Sequence, residues 1–196
     1  MGNTLTLDLN RRYTYADYLT WLDDKRRELV NGFIRMMSPA PGRVHQQVSY
    51  NLTLALGNRI KKHKGKSKVY FAPFDVRLPQ NGETSDDKIY TVVQPDLCVI
   101  CDLAKLDDRG CLGAPDLVAE VQSASTARYD LTRKFDLYEA AGVREYWIVY
   151  PYGSVEVFLL QPDGKYGSGV VYDKGQKIPV SIFDDIEVDL NEVFEF

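Results

Sequence analysis

The sequence predicts an α/β (α+β) fold in which helices cover a β-sheet and further hairpins are attached, and three observations carry that expectation. Across residues 43–63 the apolar side chains Val44, Val48, Leu52, Ala55, Leu56 and Ile60 recur at three- and four-residue steps, the stripe of an amphipathic helix laid on a sheet. Two apolar runs, 92–101 and 116–122, alternate with period two as strands do. Asn31-Gly32 separates strands at 27–30 and 33–37, and this dipeptide supplies the positive φ angles of a two-residue hairpin turn.

The remaining elements follow in order. Thr14 is an N-cap for a helix over 15–24, where Tyr18, Leu19 and Leu22 keep helical spacing. Residues 68–78 read as one strand with Ala72, Phe74, Val76 and Leu78 on one face and Pro73, Asp75 and Arg77 on the other. The polar stretch 80–88 is a loop, and Asp107-Asp108-Arg109-Gly110 marks a turn-rich connection before 116–122. A helix over 130–141 stops at Gly142, a good residue just past a helix end. Strands at 145–150 and 155–160, a turn at Pro162-Asp163-Gly164 and short strands near Val170, Ile178 and Ile186 complete the chain.

Composition sets the bounds. With 196 residues and 44% apolar content the chain is expected to form one domain, 1–196, around a single core. Residues 1–12 lack the apolar segment of a secretory signal and no run has the length of a membrane span, so a soluble, cytoplasmic protein with no membrane partner is expected. Three cysteines suit a reducing compartment. Cys98 and Cys101 lie in a strand, where residues three apart face opposite sides, and no second pair completes a zinc site. A net charge of −4, from 24 basic and 28 acidic residues, argues against coating nucleic acid by bulk electrostatics. The stretch 59–68 does carry six Lys and Arg in ten positions, which either complement a helix C-terminus or contact phosphate.

The chemistry concentrates in Asp96 and Glu120. Alternation places each among inward-facing side chains of neighbouring strands, where an unpaired carboxylate costs several kcal/mol, so a shared hard cation is the economical reading. Asp116 is a rival partner for Glu120, but four residues at about 3.3 Å each put it roughly 13 Å away. Gln122 points the same way as Glu120. On the following helix Lys134 falls inside the stripe formed by Leu131, Phe135, Leu137, Tyr138 and Ala141, either snorkelling from its edge or aimed at an anionic site.

At these residues the sequence resembles the Uma-type restriction-endonuclease-like family (DUF820-like) of the PD-(D/E)XK nuclease superfamily. The resemblance covers most of the chain and rests on Glu28-Leu-Val-Asn-Gly32, Phe74-Asp-Val-Arg-Leu78, Val93-Gln-Pro-Asp-Leu97, Pro115-Asp-Leu-Val-Ala-Glu-Val-Gln-Ser123, Ser125-Thr126, Asp130-Leu131 with Lys134, and Gly142-Val-Arg-Glu-Tyr-Trp-Ile-Val149. It implies a restriction-endonuclease-like mixed sheet flanked by helices, and an active site where Asp96, Glu120 and the Val121 carbonyl bind Mg²⁺, with Mn²⁺ as a substitute. The superfamily pattern places lysine where this chain has Gln122, so Lys134 on the following helix is the candidate for the missing ammonium, and Glu28 matches an N-terminal acid that completes the metal or water shell. His45 matches a position often occupied by histidine and is a candidate phosphate contact, with capping or packing as the other reading. Asp75 and Arg77 either reach the site or form a local ion pair. Ser123, Ser125 and Thr126 form a hydroxyl-rich loop that binds phosphate or caps the helix.

The function implied is a Mg²⁺-dependent endonuclease acting on nucleic acid, with DNA the expected substrate and a homodimer plausible because cutting two strands commonly needs two sites. The alternative is a catalytically impaired nucleic-acid-binding or assembly module on the same fold, which Gln122 favours. A third reading, a structural protein with buried ion pairs, predicts Lys134 bonded to Glu120 with no room for metal.

Overall fold

Thr14 caps helix α1 (Tyr15–Tyr18) through a capping box with Asp17, and the helix is one turn long rather than the ten residues its spacing suggests. This start belongs to a computed structural model that describes residues 7–23, 25–37, 41–63, 65–123 and 130–195. Strands β1 (Arg27–Val30) and β2 (Phe33–Met36) then pair across Asn31 and Gly32, both at positive φ (52° and 87°). Helix α2 (Arg43–Lys62) carries the predicted stripe, with Val48, Leu52, Ala55, Leu56 and Ile60 buried along it. Truncating Leu52 or Leu56 to Ala would cost ~2–5 kcal/mol in such a packed setting.

The stretch read as one strand over 68–78 is two. β3 (Lys68–Phe71) and β4 (Val76–Arg77) belong to different sheets, and Pro73, which has no amide proton to give a ladder, lies in the break. The stretch 92–101 divides likewise into β5 (Val92–Val93) and β6 (Leu97–Ile100) around Gln94-Pro95-Asp96. The turn-rich connection holds a further hairpin, β7 (Leu106–Asp107) and β8 (Gly110–Leu112), before β9 (Leu117–Val121). A π-helical turn (Asp130–Lys134) runs into helix α3 (Phe135–Ala141), which ends at Gly142 in the left-handed conformation (φ 84°). After it come β10 (Glu145–Tyr150), β11 (Ser154–Leu159), β12 (Val170–Asp173), the pair β13 (Lys177–Pro179) and β14 (Glu187–Asp189), and helix α4 (Leu190–Val193).

Two six-stranded mixed sheets result, ordered β2-β1-β5-β4-β8-β7 and β12-β11-β10-β9-β6-β3. In the second, β9 is central, antiparallel to β6 and parallel to β10. Its alternation divides the interior. Leu117, Ala119 and Val121 pack with Leu97, Trp147 and the α2 stripe, while Val118 packs with Cys98, Ile100, Ile148 and Tyr138 of α3. Cys98 and Cys111 are buried and all three cysteines are free. Among the described residues, no helix is long and apolar enough to cross a membrane.

Candidate active site

Glu120 lies on the α3 side of the central strand and is 3% exposed. A carboxylate there is stable only if hydrogen-bonded and compensated in charge. Both conditions are met at one oxygen: Oε1 accepts from Lys134 Nζ at 2.7 Å and from the Tyr138 hydroxyl at 2.7 Å. Burial, and then the negative charge of Glu120, push the Tyr138 phenol well above its usual pKa, so it stays protonated and donates. Lys134 is itself buried and lies 3.4 Å from Glu28 Oε1, so a single ammonium serves carboxylates from both sheets. Lys134 closes the π-helical turn, which sets the direction of its side chain at the start of α3.

Glu28, on β1, is 2% exposed and accepts the Gln94 backbone amide at 3.0 Å. The Gln94 side chain donates to Asp75 Oδ1 at 2.8 Å, while its carbonyl accepts two bonds from Arg26, at 3.0 and 2.7 Å. Asp75, its pKa raised by burial, is thereby linked to Glu28 through Gln94. Sequence reasoning missed Gln94, although its place beside Pro95, where two strands part, was a signal that its polar groups needed partners outside a ladder.

Asp96 comes next in chain and space. The β6–β9 register pairs Leu97 with Ala119, so one further step sets Asp96 opposite Glu120. The Gln122 amide bonds to Val149 of β10, so the Val121 amide faces β6, and there it donates to Asp96 Oδ2 at 2.8 Å. The carboxylate thus continues the ladder where the β6 backbone has stopped. The same oxygen lies 3.2 Å from His45 Nε2 on α2, beside a cavity of about 330 Å³. Glu120 therefore draws its partners from α3 and Asp96 from α2.

The other candidates are distributed around this pair. Gln122 is 6% exposed and directly follows β9, with Ser123 after it. Ser125 and Thr126 lie outside the described residues. Arg77 is not brought to the site: its guanidinium bonds Asp107 at 2.6 Å and lies 5.3 Å from the Tyr15 ring centre. Asp75 takes Gln94 rather than Arg77 as its hydrogen-bond partner. Asp116 accepts from the Cys101 amide at 2.7 Å and from Arg144 at 3.0 Å, tying β6 to the entrance of β9.

Among the described residues, no group of three or more His, Cys, Asp or Glu is gathered around one point. The donor chemistry still fits a hard cation. Asp96, just before β6, and Glu120 on β9 offer carboxylate oxygens, and Mg²⁺ characteristically uses one or two carboxylates while keeping several waters. Val121, following Glu120 in the strand, offers a backbone carbonyl.

Comparison with known proteins agrees with this architecture. No curated protein matches the chain. Among solved structures, one described as a putative nuclease belonging to DUF820 from Anabaena variabilis ATCC 29413 superposes with a TM-score of 0.69 at 16% sequence identity, over 92% of this chain and 97% of that one. At that identity the likeness establishes a shared fold. The Uma2 family model, described as "Putative restriction endonuclease", matches residues 15–191, and the chain belongs to that family.

Proposed function

We propose that the chain is a Mg²⁺-dependent endonuclease that hydrolyses phosphodiester bonds in DNA. The Lys134–Glu120 bond alone is also what a structural ion pair would give; what supports this reading is that Asp96, Glu120 and the ammonium of Lys134 come together around the end of β9, where Gln122 stands in place of the superfamily lysine. Asp96, Glu120 and the Val121 carbonyl would hold Mg²⁺, or Mn²⁺ in its place, and the bound ion would polarise the scissile phosphate and acidify a water.

The protein's own groups then divide the work. Lys134 offsets negative charge that develops on the phosphate, in a site too buried for water to screen it. Glu28 holds the ammonium from the side of the first sheet, so Lys134 would keep one carboxylate partner with Glu120 bound to the ion. Gln122 orients water through its amide but adds no charge. His45 steadies Asp96, and the Ser123 hydroxyl is within one residue of Gln122 for a phosphate contact. Cutting both strands commonly takes two sites, so a homodimer accompanies this reading.

The test is nicking of supercoiled plasmid in Mg²⁺ by wild type, Glu120→Ala and Lys134→Ala. Wild type should nick and both variants should not. Equal activity in all three refutes the assignment; loss only in Glu120→Ala keeps the acid and rejects the lysine. A second reading, a nucleic-acid-binding or assembly module without turnover, is favoured by the uncharged Gln122 and by an ammonium already neutralised by Glu120. It predicts DNA binding with no nicking by any of the three.

A further inference from the structure

The cavity beside Asp96 contains two exposed aromatic rings. Tyr50 of α2 is 59% exposed and Phe71, the last residue of β3, is 62% exposed, and both line the same space as Asp96, His45 and Arg26. Exposure of that extent sacrifices the burial that normally holds large rings in place, and here two such rings line one cavity beside the candidate site. We propose that this cavity receives an unpaired nucleotide of the DNA strand next to the scissile phosphate, its base stacked on Phe71 and Tyr50. The proposal rests on the nuclease reading for its substrate and adds that the strand is taken single-stranded or flipped out.

The chemistry favours this occupant. A volume of about 330 Å³ is at the small end of ligand pockets and suits one base with part of its sugar. Aromatic platforms combined with cations are how proteins hold unpaired strands, because every base has a π-face while phosphates need positive charge. Arg26 brings that charge to the rim, anchored by two bonds to Gln94. The wall reads little sequence. Ser49 and Thr53 donate their hydroxyl protons to carbonyls of their own helix, leaving the exposed Gln46 as the side-chain amide at the cavity. The site therefore selects an unpaired base over a paired one and is tolerant of its identity.

The experiment measures fluorescence anisotropy of a labelled single-stranded oligonucleotide and of its blunt duplex, with Ca²⁺ replacing Mg²⁺, for wild type, Phe71→Leu and Tyr50→Leu. Leucine keeps apolar bulk and removes the π-face, and both positions are exposed, so unchanged thermal unfolding serves as the folding control. Wild type should bind the single strand more tightly than the duplex, and each variant should weaken single-strand binding about five- to a hundredfold while leaving duplex binding within about twofold. Equal single-strand affinity in wild type and variants, or a wild type that prefers duplex or binds neither, overturns the proposal. Plasmid nicking run in parallel separates the two readings. Glu120-dependent nicking with ring-independent binding sinks the stacking site alone, whereas ring-dependent binding without nicking supports the stacking site and removes the nuclease.

Discussion

Lys134 and Tyr138, one helical turn apart, donate to the same oxygen of Glu120, each at 2.7 Å. One donor brings charge and the other only a proton, so removing each should have a different signature.

Lys134→Met should remove the ammonium that Glu120 and Glu28, both buried, share. Loss of one partner from a buried pair typically costs ~3–5 kcal/mol, and urea unfolding at neutral pH would show it. Adding Glu120→Gln to that variant should recover most of the loss, because the remaining carboxylate no longer faces a second buried charge. If the double variant is no more stable than the single one, the ammonium is not compensating Glu120.

Tyr138→Phe keeps the ring and deletes one hydrogen bond to a charged acceptor, worth about 1.5–3 kcal/mol. The fold should survive with a lower urea midpoint and an unchanged m-value. Nicking should fall less than in Lys134→Ala, since the ammonium stays in place.

Glu145 offers a pH test remote from the lysine. It is completely buried at the start of β10, and although Trp147 Nε1 and the Ile182 amide donate to it, desolvation outweighs them and raises its pKa to about 7. A carboxyl whose folded pKa is raised binds its proton more tightly when folded, so stability is lost as pH rises from the unfolded value near 4.5 to about 7. The full difference is about 3 kcal/mol. Glu145→Gln cannot ionise, so its stability relative to wild type should climb across that window and level off above it. Chemical denaturation at a series of pH values reads this slope, and parallel curves would contradict the assignment.

Gly110→Ala should strain the β7–β8 hairpin. Gly110 has φ 121°, and a Cβ there would overlap the Asp75 carbonyl, which also accepts the Cys111 amide. A cost of about 1–3 kcal/mol is expected in denaturant, together with weaker amide protection at Cys111.

Mg²⁺ should raise the melting temperature by ~5–10 °C when it is ~100-fold above its dissociation constant, since ligand binding at that excess adds ~2.7 kcal/mol. Asp96→Asn preserves an acceptor for the Val121 amide but removes a charge. Its melting temperature without metal should stay close to wild type while the Mg²⁺ response disappears.

Much of this fold was legible because local rules and tertiary structure agree. The Asn31-Gly32 turn, the α2 stripe, the Gly142 stop and the β10–β11 pair all stand where turn chemistry and periodicity place them. The two strand misreadings share one cause. Residues 68–78 and 92–101 each read as one strand because side-chain alternation runs through Pro73 and Pro95, while the backbone ladder it normally accompanies does not. At the site, strand order was enough to bring Asp96, just before β6, next to the strand that carries Glu120. It carried no information about which helix each carboxylate would meet. Tyr138 read as an apolar stripe residue, since its hydroxyl finds Glu120 only through the packing of α3 on β9. Gln94 was marked only by its place beside Pro95, while what it joins, Glu28 and Asp75, emerges from the packing of the two strands.

The same breaks have a mechanical consequence. Glu28 travels with the first sheet and Glu120 with the second, and Lys134 grips both. The ammonium is a strut across the seam between two plates, so any anion that draws it away from either acid also slackens the joint.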